Sequence, residues 1–123
     1  KYPPGPNTSM LFVRDVLQRL GHPLPEMPSL RLCEWLTSPQ GGRPQGWKEV
    51  HPGMAQASTN DGRPSIVVGV GPEVADLGGI LFPDQAGSAQ NPTLVMVTPS
   101  FVLDPGTFLQ GFRGQPARFF SVG

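Results

Sequence analysis

The chain has 123 residues, enough for one domain with a core of its own and too few for two ordinary ones. Nine basic and nine acidic residues cancel and are spread thinly, without the clustered Lys/Arg footprint of a nucleic-acid or anionic-membrane binder. Gly and Pro number 16 each, a level that can mark disorder, but here they punctuate apolar runs such as "SIVVGV", "TLVMV" and "ARFF", so a loop-rich folded domain is expected.

Residues 1–7, "KYPPGPN", form an extended lead-in, because Pro fixes its own φ and restricts the residue before it. From Ser9 onward, Leu11, Phe12, Val16, Leu17 and Leu20 recur at helical spacing, with Arg14, Asp15, Gln18 and Arg19 on the other face. Asn7, Thr8 or Ser9 can cap this helix, and Gly21 followed by "HPLP" ends it. "SLRLCEWLTS" (29–38) predicts a second helix, with Ser29 as N-cap and Leu32, Cys33 and Leu36 facing inward. "PQGGRPQG" is a loop by composition. Past Trp47, Pro52 suits an early helical position, and "GMAQAST" makes one or two turns before "NDG" breaks the chain.

The period then changes. "PSIVVGV" (64–70), "GGILF" (78–82), "TLVMVT" (93–98) and "ARFFSV" (117–122) are short strand-like runs bounded by Gly, Pro and Asp. Helices first (8–60) and strands afterwards (64–122) predict a single α+β domain over 1–123, its N-terminal helices packed on a small, mainly antiparallel sheet. No apolar stretch nears the roughly 20 residues that span a bilayer, so no membrane insertion is expected, and no secretory h-region is visible.

Reactive groups are few. A serine nucleophile needs a general base within about 3 Å, and the chain offers only His22 and His51. His22 lies about 20 Å from Ser9 along the intervening helix, which leaves His51 as the one available partner. Cys33 stands mid-helix beside Leu32, where it packs as a small apolar residue rather than as a thiolate. Two isolated histidines and one cysteine supply no metal site, and no cofactor is called for. Asp61 and Asp84 occupy turn positions that Asx hydrogen bonding explains. "GVGPEVADLGG" (69–79) lacks both the GxGxxG spacing and a GK[ST] ending, so it reads as a strand–loop–strand connection. Trp35, Trp47, Phe101, Phe108 and Phe112 could serve a groove or a core, and single aromatics favour the core.

The order of landmarks resembles one family. "GPNTSMLFVRDVLQRLGHPLP" is similar to the opening of the papain-like cell-wall hydrolases of the NlpC and CHAP type, amidases and endopeptidases of peptidoglycan. Their opening reads Asn-x-Cys-x-x-Phe-Val before a Leu/Val-rich helix, and the Cys is the nucleophile, its thiolate favoured by the helix N-terminus. "GWKEVHPGMAQASTNDGRPSIVVGV" is similar to the family's Trp, small-residue helix, turn and first core strand, and "LGGILFP" falls where a strand supplies the base. "GTFLQGFRGQPARFFSV" resembles the closing turn and last strand. The resemblance implies a papain-like fold with Ser9 at the nucleophile position and Gly79 at the base position, hence no catalytic residue. Replacement of the Cys alone is what an engineered inactivation would leave; loss of the His as well is not.

The resemblance therefore implies a catalytically silent relative, a periplasmic or extracellular binding domain. Its implied partner is a peptidoglycan stem peptide or an envelope protein, with Ser9, Trp47, Gly78 and Gly79 at the ligand. Two alternatives stay open: an active hydrolase using Ser9 with a repositioned base such as His51, and a protein-interaction module whose groove is filled by its own loops.

Overall fold

In the computed structural model, which describes residues 8–70, 78–84, 93–97, 102–103 and 117–123, the first apolar run closes into helix α1, Thr8–Arg19. Gly21 sets its end. With φ at +87°, Gly21 donates its N–H to the Gln18 carbonyl at 3.2 Å, and the His22 N–H reaches the Leu17 carbonyl at 2.8 Å. This is the paired closure of a Schellman turn, which needs the left-handed backbone that glycine adopts at least cost. The buried stripe is not the expected one. Met10, Val13 and Leu17 are buried, Phe12 and Val16 pack at the margin, and Leu20 is exposed. Both stripes have helical spacing; the sheet takes the one whose leading member, Met10, lies over a glycine.

Helix α2 spans Ser29–Thr37, with Pro28 rather than Ser29 at the N-cap position and Leu32, Cys33 and Leu36 buried. The next loop folds tightly back over the end of α2. Gly42 donates its N–H to the Trp35 carbonyl at 2.8 Å, and a Cβ there would stand 2.8 Å from the Leu36 Cα. A single 3-10 turn at Arg43–Gln45 follows. Strand β1 (Lys48–Val50) is not foreseen by any run of β-formers; two of its three residues are charged. Helix α3 is Pro52–Asn60, with Pro52 in its first turn as its fixed φ favours.

Strands β2 (Ser65–Gly69), β3 (Gly78–Leu81), β4 (Leu94–Val97) and β6 (Ala117–Ser121) fall on the four expected runs, and β5 (Val102–Leu103) is additional. Together they make one sheet in the order β1-β6-β2-β3-β4-β5, antiparallel at every pairing. The fold is of the α+β class. Register assigns the faces, because directly paired residues share a face and successive ones alternate. Ile66, Val68, Ile80 and Phe120 join Met10, Val13, Leu17, Leu32, Cys33, Leu36 and Trp47 in the main core under α1 and α2. Ser65, Val67, Phe119 and Ser121 occupy the other face, which α3 covers. There the Ser65 hydroxyl donates to the Ala55 carbonyl at 3.0 Å and lies 2.8 Å from the Ser121 hydroxyl, so both buried polar groups are satisfied. No helix among the described residues is long and apolar enough to cross a membrane. The 1–7 lead-in, the 71–77 part of the strand–loop–strand connection, and Phe101, Phe108 and Phe112 lie outside the described residues.

Candidate functional site

Ser9 stands in the first turn of α1, and α1 packs across β3 and β4. The contact is close. A Cβ at Gly78 would collide with the Met10 sulfur and stand 3.1 Å from the Val67 carbonyl oxygen. Glycine at 78 is therefore what lets the amino end of α1 lie down on β3. Gly79 is a different case. It pairs with Val67, whereas Gly78 pairs with Val68, so Gly79 belongs to the face that α3 covers. The β3 glycine turned toward α1 is Gly78, not the Gly79 that the resemblance singles out, since a one-residue step in a strand exchanges faces.

The remaining candidates are dispersed. Trp47 is a core residue, 2% exposed, its indole N–H without a hydrogen-bond partner. Its ring meets that of His22 edge-on at 6.4 Å between centroids, which puts it by the carboxyl end of α1, away from Ser9 and Gly78. His51 caps α3 without a side-chain hydrogen bond and is exposed, beside a shallow depression with Glu49, Arg118 and Phe119. It follows β1, and β6 and β2 lie between β1 and β3, a lateral separation of about 14 Å at normal strand spacing. Cys33 is fully buried, and burial pushes its thiol up to about 11, with the Arg118 charge acting in the opposite sense. Among the described residues no three of His, Cys, Asp and Glu cluster as metal ligands.

Three polar features carry no sequence signal. Gln56, 2% exposed, reaches from α3 to the ends of β3 and β4: its amide N–H₂ donates to the Phe82 carbonyl at 2.7 Å and to Asn60 Oδ1 at 3.1 Å, and its Oε1 accepts the Thr93 N–H at 2.8 Å. Asp84 completes this clamp, donating its N–H to Asn60 Oδ1 at 2.7 Å and accepting the Thr93 hydroxyl at 3.0 Å. Asp61 instead pairs with Arg63 at 3.0 Å. Across β1 and β6, Arg118 makes a two-pronged contact to Glu49 at 2.6 and 2.9 Å while lying 5.4 Å from the Phe120 ring centre. The hydrogen bonds from Arg118 hold the Glu49 carboxyl below its ordinary range.

The third feature is Arg14. It lines a cavity of about 290 Å³ between α1 and the segment entering α2, where Glu26 and Ser29 join the apolar walls of Met10, Met27 and Leu32. This cavity begins at Met10, one residue from Ser9. No family model, no curated protein and no solved structure matches the chain.

Proposed function

We propose that this chain is a non-catalytic binding domain on a papain-like α+β scaffold, a silent relative of the peptidoglycan peptidases and amidases, working at the cell envelope or outside the cell. The observation that carries the reading concerns proton acceptors. The chain contains two histidines; one sits past the far end of α1 and the other beyond the β1 edge. A serine alcohol with no imidazole in reach stays protonated at neutral pH and is a poor nucleophile. The one thiol is sealed in the core. The amino end of α1 is left as a place to bind, and a stem peptide is the ligand the family resemblance favours.

The test is a titration of purified muropeptides monitored by NMR, run beside a turnover assay. Binding at millimolar concentration or below without turnover, in the wild type and in Ser9→Cys alike, is the expected result. Turnover lost in His51→Ala would establish the active-hydrolase reading instead. A second reading, an interaction domain with an occluded groove, draws on one observation: Met10 already fills the space over Gly78. Muropeptides that leave the Met10 methyl resonance unmoved favour that alternative.

A further inference from the structure

The cavity beside Met10 is lined by a cation, Arg14. Met10 and Arg14 are four residues apart on α1 and share a face, so the guanidinium rises from the wall of a space that Glu26 and Ser29 line together with Met, Pro and Leu side chains. The Arg14 side chain is 19% exposed, and its ion pair among the described residues is with Glu26 at 3.6 Å, a carboxylate 86% exposed. That separation is longer than a hydrogen bond. A guanidinium carries five N–H donors arranged to grip a carboxylate through two of them, and a largely desolvated one gains most from such a partner. At about 290 Å³ the cavity sits at the small end of ligand sites, about 300–1,000 Å³, which limits the occupant to one or two residues' worth of atoms.

We propose that this cavity binds the free carboxylate end of a short peptide with small apolar side chains, Arg14 gripping the carboxylate while Met10, Met27 and Leu32 cover the side chains. Glu26 holds the guanidinium in place when the site is empty and competes with the ligand when it fills. The carboxylate chemistry stands on the cavity alone; only the assignment of the ligand to peptidoglycan rests on the binding-domain reading above.

N-acetyl-D-alanyl-D-alanine, its L,L isomer and the C-terminal amide of each are titrated into isotopically labelled protein. The free acids bind and shift Met10 and Leu32, and the amides bind about tenfold or more weakly, the range for a lost charge-assisted hydrogen bond. Arg14→Gln loses the same factor with an unchanged circular dichroism spectrum, Arg14→Lys recovers part of it, and Glu26→Gln tightens binding. Amides that bind as well as acids, free acids that fail to bind, or an Arg14→Gln variant with wild-type affinity overturn the proposal. Preference for the D,D acid points to cell-wall peptide; preference for the L,L acid keeps the carboxylate site and removes the peptidoglycan reading. Muropeptide binding that ignores Arg14→Gln does the reverse.

Discussion

Gly78→Ala, combined with Met10→Ala, tests the contact on which the site depends. The added methyl at 78 meets the Met10 sulfur and, at 3.1 Å, the Val67 carbonyl oxygen. Overpacking of this kind costs about 1–3 kcal/mol, against which the lower unfolded-state entropy of Ala returns about 0.5–1 kcal/mol. Met10 can swing part of the way aside because its chain is flexible, so a net loss of about 1–2 kcal/mol is expected, or about 4–8 °C in Tm for a domain of this size. Met10→Ala alone empties a buried position and costs about 2–5 kcal/mol. In the double variant the new methyl occupies space that the sulfur has vacated, so its cost falls by about 1 kcal/mol or more. Urea denaturation of the wild type, the two single variants and the double variant, at a common m-value, measures the coupling. Additivity within about 0.3–0.5 kcal/mol, the behaviour of independent sites, would refute the seating of α1 on β3 at Gly78.

Gln56→Leu breaks the bonds to the Phe82 carbonyl and Thr93 N–H; at about 1 kcal/mol per bond plus the desolvation of partners left behind, about 2–4 kcal/mol is lost. Hydrogen exchange at Thr93 accelerates more than at Ile66, and equal acceleration at both would show that the clamp is not local. Cys33 resists Ellman's reagent at pH 8 in the native protein and reacts at once when unfolded; fast native labelling contradicts its burial. Burial raises its folded-state pKa to about 11, so its contribution is intact below the unfolded value and disappears as pH climbs from about 9 toward 11, by about 2–3 kcal/mol. The wild type minus Cys33→Ala difference in stability follows that window, and a flat difference rejects it. Glu49 has the opposite sign: held below its ordinary range by Arg118, it stabilises at pH above the usual carboxylate value and that gain is lost as pH falls through the lowered one. Both side chains are partly exposed, so Glu49→Gln is expected to remove less than about 1 kcal/mol of acid-side pH dependence; a larger effect would mean a role beyond the pair.

How legible each feature is in the residues depends on how locally it is determined. Helices α1, α2 and α3 announce themselves through periodicity, Gly21 and Pro52, and strands β2, β3, β4 and β6 through β-branched and aromatic runs. Strand β1 does not, because Lys48, Glu49 and Val50 become a strand only through register with Phe119, Phe120 and Ser121, a long-range partner that no local propensity encodes. The α1 stripe is ambiguous for a similar reason: Phe12, Val16 and Leu20 recur at helical spacing just as Met10, Val13 and Leu17 do, and the choice between them depends on the surface that the sheet presents. Ser9 and the β3 glycines emerge as a pair from the family resemblance, yet the face of each glycine depends on pairing with Val67 or Val68. The surroundings of Gln56 and Arg14 are invisible in the sequence, since a buried amide and a cavity-lining guanidinium look like surface residues until neighbouring elements close over them.

The face assignment also bears on the proposed loss of catalysis. A nucleophile at the amino end of α1 can exchange a proton only with a side chain on the α1 face of the sheet, and on β3 those positions are 78 and 80. Ile80 is built into the main core and 78 is closed by Met10, so neither β3 position on that face is open to a base without rebuilding the contact that seats the helix. Histidine at 79 would emerge among Val67 and the residues under α3, on the far side of a hydrogen-bonded layer from α1. On the binding-domain reading, silence is thus a property of packing as much as of composition: the sulfur of Met10 occupies the volume that a proton acceptor would need, and the same side chain forms one wall of the cavity that Arg14 lines. On that reading the loss of one chemistry and the shape of the proposed site both involve Met10.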